Sequence, residues 1–189
     1  MNPSAMTHID VGAILQSTHN RGYTDLVTRA TGRTVRTRIE QDIESRPRML
    51  SVIDFSSIGL LDFSCADEIV ANLMRRWRAD PMDTERYIVF DGINDDHLDA
   101  IEHVLENHDL ALVARFSGHG KPRLVGAVHD VDRLVWDTVV RLQPALPSTI
   151  AVDAALDYDD VITRLVALHR KRLIMKDGAM YRIPIGAVA

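Results

Sequence analysis

The side chains that could do chemistry are concentrated in one short stretch, residues 52–69, with the sequence VIDFSSIGLLDFSCADEI. Asp54 ends a run of strand-forming residues, and Asp62 stands just before a predicted helix. Ligands of open α/β sheets gather at such strand ends, so the two carboxylates are candidates for acid–base work. The sequence shows neither the partner base nor the pocket that this chemistry needs. We therefore expect Asp54 and Asp62 to cap and brace the loop between them.

Ser64 and Cys65 are the nucleophilic candidates at the start of the predicted helix. Ser64 precedes Asp67 by three residues, which is close to a capping box, and it is predicted to cap a helix over 64–77. A thiol near a helix amino terminus can have a lowered pKa and some reactivity, although a buried structural thiol is the favoured alternative for Cys65. Because Cys65 is the single cysteine, internal disulfides and cysteine-based zinc cages are excluded.

Eight histidines raise the question of a metal site. His97, His103 and His108 fall on one predicted helix at spacings of six and five, which do not bring pairs onto one face as a spacing of four would. No HExxH motif occurs. We expect surface or helix-capping histidines, no metal and no cofactor. The GHGK string at 118–121 is too short for a phosphate loop and is predicted to form a hairpin turn.

The elements that must position these residues alternate between apolar strands and amphipathic helices. Apolar runs predict strands over 9–15, 23–28, 49–55, 86–92 and 110–116. Helical periodicity predicts helices over 33–45, 64–77 and 95–108. This alternation favours a largely parallel sheet with helical cover, which continues into a strand over 121–128 that pairs back as a hairpin.

The C-terminal part of the chain has a different pattern. Periodic apolar positions predict helices over 131–142, 146–156 and 158–173. Two strand-like halves around 176–178 then indicate a hairpin. Three helices followed by a hairpin is the order of a winged helix-turn-helix. The predicted fold class is α/β, with a mostly parallel sheet and helices over 9–120 and a small α+β winged-helix domain over 121–189.

Composition excludes several classes of protein. The chain has 189 residues with 46% apolar and 26% charged side chains, which is typical of packed proteins and not of disordered ones. The net charge of −5 argues against a non-specific nucleic-acid coat. Apolar runs fall far short of the roughly 20 residues of a membrane span. The first residues lack the pattern of a secretory signal, so we expect a cytoplasmic protein without membrane partners.

The stretch 52–69 resembles the centre of STAS domains, the fold of bacterial anti-sigma factor antagonists. In that family a buried strand ends in a Leu/Ile-Asp-Phe segment, and a short hydrophobic loop then leads into a turn that opens a helix. The string Ser64-Cys65-Ala66-Asp67-Glu68 is similar to the turn of a divergent STAS-like group. The resemblance covers about residues 9–116.

The resemblance implies a non-enzymatic regulatory protein that acts by protein–protein interaction. Its partner would be an anti-sigma factor or a histidine-kinase-like ATPase, and Ser64 would be the phosphorylated residue, unless it serves only as a helix cap. The implied partner-binding residues are Ser56, Ser57, Asp62, Ser64, Cys65, Asp67 and Glu68. Homo-oligomers and a small-molecule or nucleotide sensor also remain open, the latter by family analogy alone.

The predicted winged helix offers an alternative function, transcription regulation by DNA binding. The candidate DNA-binding residues are Thr163, Arg164, Arg170, Lys171, Lys176 and Arg182. Residues 121–189 carry 10 basic and 8 acidic side chains, against 12 and 19 in residues 1–120. However, Asp159 and Asp160 begin the helix that would meet DNA, where they would repel phosphates. Packing on the first domain, or protein binding, is therefore the favoured role of this module.

Overall fold

The computed structural model describes residues 6–18, 22–45, 50–78 and 86–185. The chain divides into two compact units, Met1–Ala127 and Val128–Ala189. The predicted domain boundary at 120/121 falls within a strand of the first unit, His119–Gly126. The two units divide after this strand, between Ala127 and Val128. In the described residues, none of the helices has the length and apolar character that a membrane crossing needs.

The first unit is an α/β structure with a five-stranded, mostly parallel sheet. Its strands are β1 (Met6–Asp10), β2 (Leu50–Asp54), β3 (Tyr87–Ile93), β4 (Ala111–Phe116) and β5 (His119–Gly126). Its helices are α1 (Val11–Thr18), α2 (Arg29–Ser45), α3 (Phe63–Ala66), α4 (Leu73–Arg78) and α5 (Asp95–Asn107), and a π-helical segment (Asp67–Asn72) joins α3 to α4. The strands lie in chain order, with β1 to β4 parallel and β5 antiparallel to β4.

The chain order of the parallel strands determines where the helices pack. Each crossover joins neighbouring strands in the same direction, so crossovers of one hand place their helices on one face of the sheet. A single core cluster accordingly combines strand residues such as Ile53, Phe90 and Leu112 with helix residues such as Ile39 and Ile101. The alternation of strands and helices in the sequence thus predicted this part of the fold.

Two predicted strands near the amino terminus were wrong. The segment 9–15 is the end of β1 followed by α1, because Asp10 accepts the backbone N–H of Ala13 (3.0 Å) and turns the chain into a helix. The segment 23–28 forms an isolated bridge between Leu26 and Leu61. Leu26 pairs with the backbone of Leu60 and Asp62 instead of joining the sheet.

Helix α2 begins at Arg29 and includes Gly32, whereas the sequence predicted a helix start after that glycine. A Cβ atom at Gly32 would lie 2.9 Å from the Cα of Cys65. Glycine therefore serves here as a contact residue between α2 and α3, and its usual role as a helix breaker is overridden by tertiary packing.

The second unit contains three helices followed by a two-stranded antiparallel sheet, in the predicted order. Its elements are α6 (Asp130–Leu142), α7 (Pro147–Ala154), α8 (Tyr158–Arg170), β6 (Met175–Asp177) and β7 (Met180–Arg182). The buried Trp136 of α6 donates its indole N–H to the carbonyl of Leu173 (3.1 Å), which joins α6 to the segment before the hairpin.

Candidate functional site

The β2–α3 loop (55–62) lies at the carboxyl ends of the parallel strands. Strands β1, β2 and β3 carry Asp10, Asp54 and Asp91 as register partners at this edge of the sheet. Ligand sites of open α/β sheets form at such edges, because loops rather than strands supply the surface there.

Carboxylates hold the first half of this loop. Asp54 accepts both the backbone N–H and the hydroxyl of Ser56, and its other oxygen lies 3.2 Å from Nε2 of His8. Ser57 donates its hydroxyl to Asp10 (3.2 Å). The neighbouring Gly92 has φ +68°, and a Cβ there would meet the backbone nitrogen of Ser56 at 2.5 Å. The expectation that Asp54 braces the loop is confirmed, and both serines are exposed.

The second half of the loop is pinned to the segment before α2. Gly59 donates to the carbonyl of Thr24 (2.9 Å), and the Leu26 N–H donates to Leu60 (2.7 Å). Ile58 and Leu61 are buried in the hydrophobic core, and this packing anchors the loop. Leu60 and Phe63 remain 51% and 55% exposed on this anchored backbone. Leu60 on the loop and Phe63 at the start of α3 are therefore two large, exposed apolar side chains on an anchored backbone.

Asp62, not Ser64, caps α3, so the predicted cap at Ser64 was wrong, whereas the expectation that Asp62 caps and braces the loop is confirmed. One oxygen of Asp62 accepts the N–H of Cys65 (2.7 Å) and the hydroxyl of Ser64 (2.8 Å), and the other accepts the N–H of Thr28 (2.9 Å). Partial burial would raise the pKa of Asp62, but these donors outweigh burial and hold its pKa below the usual value. The half-buried Ser64 is the second residue of α3.

Cys65 is a structural thiol. Its side chain is fully buried and donates to the carbonyl of Thr28 at 3.0 Å. Burial, with the nearby Asp62 carboxylate, raises the pKa of Cys65 to about 12. The hypothesis of a reactive thiol with a lowered pKa was therefore wrong, because burial and a neighbouring negative charge outweigh any benefit of the helix terminus.

Thr28 connects the loop to α2 in a strained conformation. Its φ is +74°, in the left-handed region that is rare for β-branched residues. Both backbone groups of Thr28 are hydrogen-bonded. Its N–H donates to Asp62, and its carbonyl accepts from the thiol of Cys65 and the N–H of Gly32. Strain of this kind persists where surrounding contacts determine the backbone, and it is common next to functional sites.

His97 supports the loop from α5. The side chain is fully buried; Nδ1 lies 3.5 Å from the N–H of Asn94, and Nε2 lies 3.1 Å from the carbonyl of Gly59. Since an N–H can only donate and a carbonyl only accept, the proton belongs on Nε2. Burial lowers the pKa of His97, against the raising effect of the Gly59 hydrogen bond. His97 is a capping histidine as predicted, but it lies inside the unit rather than on its surface.

Asp67 and Glu68 lie in ion pairs with α2 and α5 rather than free on the surface. Asp67 binds Arg29 (2.6 Å) and His108 (2.8 Å). Burial would raise the pKa of Asp67, but the Arg29 and His108 contacts hold it below its usual value. Glu68 is only 3% exposed and lies 3.2 Å from both Arg29 and Arg36. Two expected partner-binding residues, Cys65 and Glu68, are thus buried.

A cleft lined with arginines was missed by the sequence analysis. Its lining residues are Arg33, Arg36, Glu68, Asn72, Arg75, Arg76, His108 and Leu110. In the sequence, Arg75 and Arg76 end the predicted helix 64–77, where basic side chains suit the negative end of the helix dipole and indicate no binding site. The signal that could have revealed the cleft is the spacing of basic residues along 29–36 and 75–78, read together with Glu68 on the intervening helix.

In the second unit, the candidate DNA-binding residues differ in their availability. Arg164 lies 3.3 Å from Asp132, which is 4% exposed, so this arginine supports the packing of α6 and α8. Thr163 donates its hydroxyl to the carbonyl of Asp159. Lys176 stacks over the ring of Tyr181. Arg170 is exposed at the end of α8, and Lys171 and Arg182 are half-buried.

The described residues hold no group of three or more metal-ligating side chains. No protein-family model matches the chain, and comparison with curated proteins found no significant match. The resemblance to STAS domains therefore stays a prediction.

Proposed function

We propose that this protein is a regulatory protein whose first unit binds a protein partner through the β2–α3 loop. The observation that carries the proposal is the exposure of Leu60, on a loop held in place by hydrogen bonds, and of Phe63, the first residue of the helix that follows it. Large apolar side chains on a preorganised backbone lose little conformational entropy on binding, and such residues dominate the energetics of interfaces.

The resemblance of 52–69 to STAS domains indicates which kind of protein the partner would be. It favours an anti-sigma factor or a histidine-kinase-like ATPase, in which case any catalysis would belong to the partner. Ser56 and Ser57 are exposed residues on the same loop, with their hydroxyls donated to Asp54 and Asp10, and they fit the polar rim of an interface. Asp62 would contribute by fixing the loop, since its carboxylate is occupied by hydrogen bonds.

Phe63→Ser and Leu60→Ser test the proposal against ATPases and anti-sigma factors from the same genome. We expect binding measured by biolayer interferometry to weaken at least tenfold in each variant, because burial of a large apolar side chain contributes about 1.5–3 kcal/mol. Val152→Ser is the matched control, because Val152 is 83% exposed on α7 in the second unit. Failure of every such protein to bind, or equal binding by all three variants, would contradict the proposal.

DNA binding by the second unit is a second candidate function. The observation that favours it is the order of three helices and a hairpin, with the exposed Arg170 and Lys176 at the end of α8 and on β6. The acidic start of α8 opposes it, because Asp157 caps the helix and Asp159 and Asp160 follow. A gel shift on genomic fragments at low salt decides: a winged-helix DNA reader binds there and loses affinity as salt rises. Absence of binding at low salt removes this candidate.

A further inference from the structure

The arginine cleft of the first unit is separate from the β2–α3 loop and has no role in the proposed function. It lies between α2, the π-helical segment, α4 and the residues after α5. Its volume is about 890 Å³, within the range of small-molecule sites.

Two buried carboxylates form the framework of the arginine cleft. Glu40 is 5% exposed, and its two oxygens bind Arg36 (2.8 Å) and Arg76 (2.6 Å). Glu68 binds Arg36 from the other side at 3.2 Å. The guanidinium groups of Arg36 and Arg76 are therefore held in fixed positions, which reduces the entropy that a ligand would lose in ordering them.

Arg33 and Arg75 retain donors that this framework does not use. Arg33 is 65% exposed, and its guanidinium lies 3.6 Å from the Glu68 carboxylate, beyond good hydrogen-bond distance. Arg75 is exposed and reaches Asn72 at 3.5 Å. Around the cleft, the described residues include more guanidinium groups than carboxylates. They are Arg29, Arg33, Arg36, Arg75 and Arg76 against Glu40, Glu44, Asp67 and Glu68.

We propose that the arginine cleft binds the phosphate groups of a compact phosphorylated small molecule. Guanidinium groups match phosphate oxygens in bidentate geometry, and Arg33 and Arg75 have donors for such contacts. Leu110 is the apolar member of the lining, and among the described residues no Phe, Tyr or Trp ring lines the cleft to stack a base. The ligand is therefore a hydrophilic polyphosphate-type molecule rather than a nucleoside or a lipid.

The backbone adds independent support to the site. The π-helical segment Asp67–Asn72 interrupts an otherwise α-helical stretch and contributes Glu68 and Asn72 to the lining. Such π-helical insertions are rare and are frequently found at functional sites.

Inorganic pyrophosphate is the probe, titrated calorimetrically into the full chain at low ionic strength. We expect saturable binding that weakens at least tenfold in the Arg33→Gln/Arg75→Gln double variant. Arg38→Gln is the matched control, because Arg38 lies on α2, is 58% exposed and pairs with Asp42. Both substituted arginines are exposed, so the variants should retain the far-UV circular dichroism of the parent; each single variant is measured as well.

Three calorimetric results would overturn the assignment. They are no heat of binding up to about 10 mM pyrophosphate, an equal loss in the Arg38→Gln control, and equal affinity for citrate, which would indicate a general anion site. Amide chemical shifts give the location: changes confined to α2, the π-helical segment, α4 and the residues after α5 support the cleft, whereas changes at the β2–α3 loop or in the second unit refute it. Tight binding of a phosphoserine peptide without pyrophosphate binding would also refute a small-molecule site.

Discussion

At the residue scale, Asp62 connects three parts of the candidate site. Its carboxylate caps α3, receives the hydroxyl of Ser64 and binds the N–H of the strained Thr28. A change at Ser64 would therefore reach the segment before α2 through a single carboxylate. If Ser64 were phosphorylated, the phosphoryl group would therefore have a direct physical route to the geometry of the loop.

Ser64→Asp should mimic such a modification. A second negative charge beside Asp62 would break the hydroxyl–carboxylate bond and repel the cap, so we expect binding to the proposed partner to weaken at least tenfold. Ser64→Ala removes the hydroxyl without adding charge, and a change of less than threefold is expected. Interferometry with the same partner measures both. Unchanged binding by the Asp variant would count against a phosphorylation switch.

Thr28→Asn tests the strain at the junction. Asn tolerates the left-handed region and still offers a side-chain oxygen to the start of α2, so we expect stability to rise by about 0.5–1 kcal/mol. Thr28→Val keeps the shape and the strain but removes the oxygen, and it should destabilise the first unit by about 1 kcal/mol. Urea unfolding followed by circular dichroism distinguishes them. A loss of stability in both variants would show that the threonine conformation carries no excess strain.

At the element scale, close packing of α2 against α3 positions the loop. Gly32 permits this approach because a side chain there would meet the backbone of Cys65. The carbonyl of Thr28, just before α2, accepts the thiol hydrogen of the same cysteine at 3.0 Å. The two helices and the loop between β2 and α3 thus form one packed group.

Gly32→Ala should destabilise the protein by about 1–3 kcal/mol, because overpacking a helix contact forces the backbones apart. Helix propensity alone predicts the opposite sign, a gain of about 1 kcal/mol. Gly120→Ala is the control, since a Cβ there has no atom within 4 Å. Denaturant midpoints decide the sign, and a stabilised Gly32→Ala variant would rule out the close contact.

At the scale of the whole molecule, the free energy of unfolding should decrease as the pH is lowered, in two separate pH windows. The pKa of His97 is lowered in the folded state, so the unfolded chain binds a proton first, and stability declines as pH falls below about 6.5. The pKa values of Asp62 and Asp67 are also lowered, so their stabilisation is complete above about 3.9 and is lost as pH falls below it.

His97→Gln should remove the first window and leave the second, because glutamine can donate to Gly59 but does not titrate. Unfolding free energies from urea titrations between roughly pH 8 and roughly pH 3 measure both windows, since this range spans the pKa values of histidine and aspartate in an unfolded chain. His103→Gln is the control, because His103 lies on an exposed turn of the same helix. Persistence of the first window in His97→Gln would show that another histidine is responsible.

Local sequence determined much of this molecule. The apolar runs of β2 and β3 and the periodicity of α5, α6 and α8 depend on side chains within a turn or two, so their positions could be predicted to within a few residues. The excess of acidic over basic side chains in the first 120 residues was also visible in the sequence, as was the accumulation of functional groups at 52–69.

Only the tertiary structure decided which of those groups does what. The sequence predicted that Asp62 caps and braces the loop, but only the fold pairs its second oxygen with the N–H of Thr28, 34 residues earlier in the chain. Gly32 lies within a helix because of a contact with Cys65, and burial makes that thiol inert. The arginine cleft likewise requires α2 and α4 side by side. Hydrogen bonds and ion pairs between distant segments depend on the folded backbone, and no local pattern encodes them.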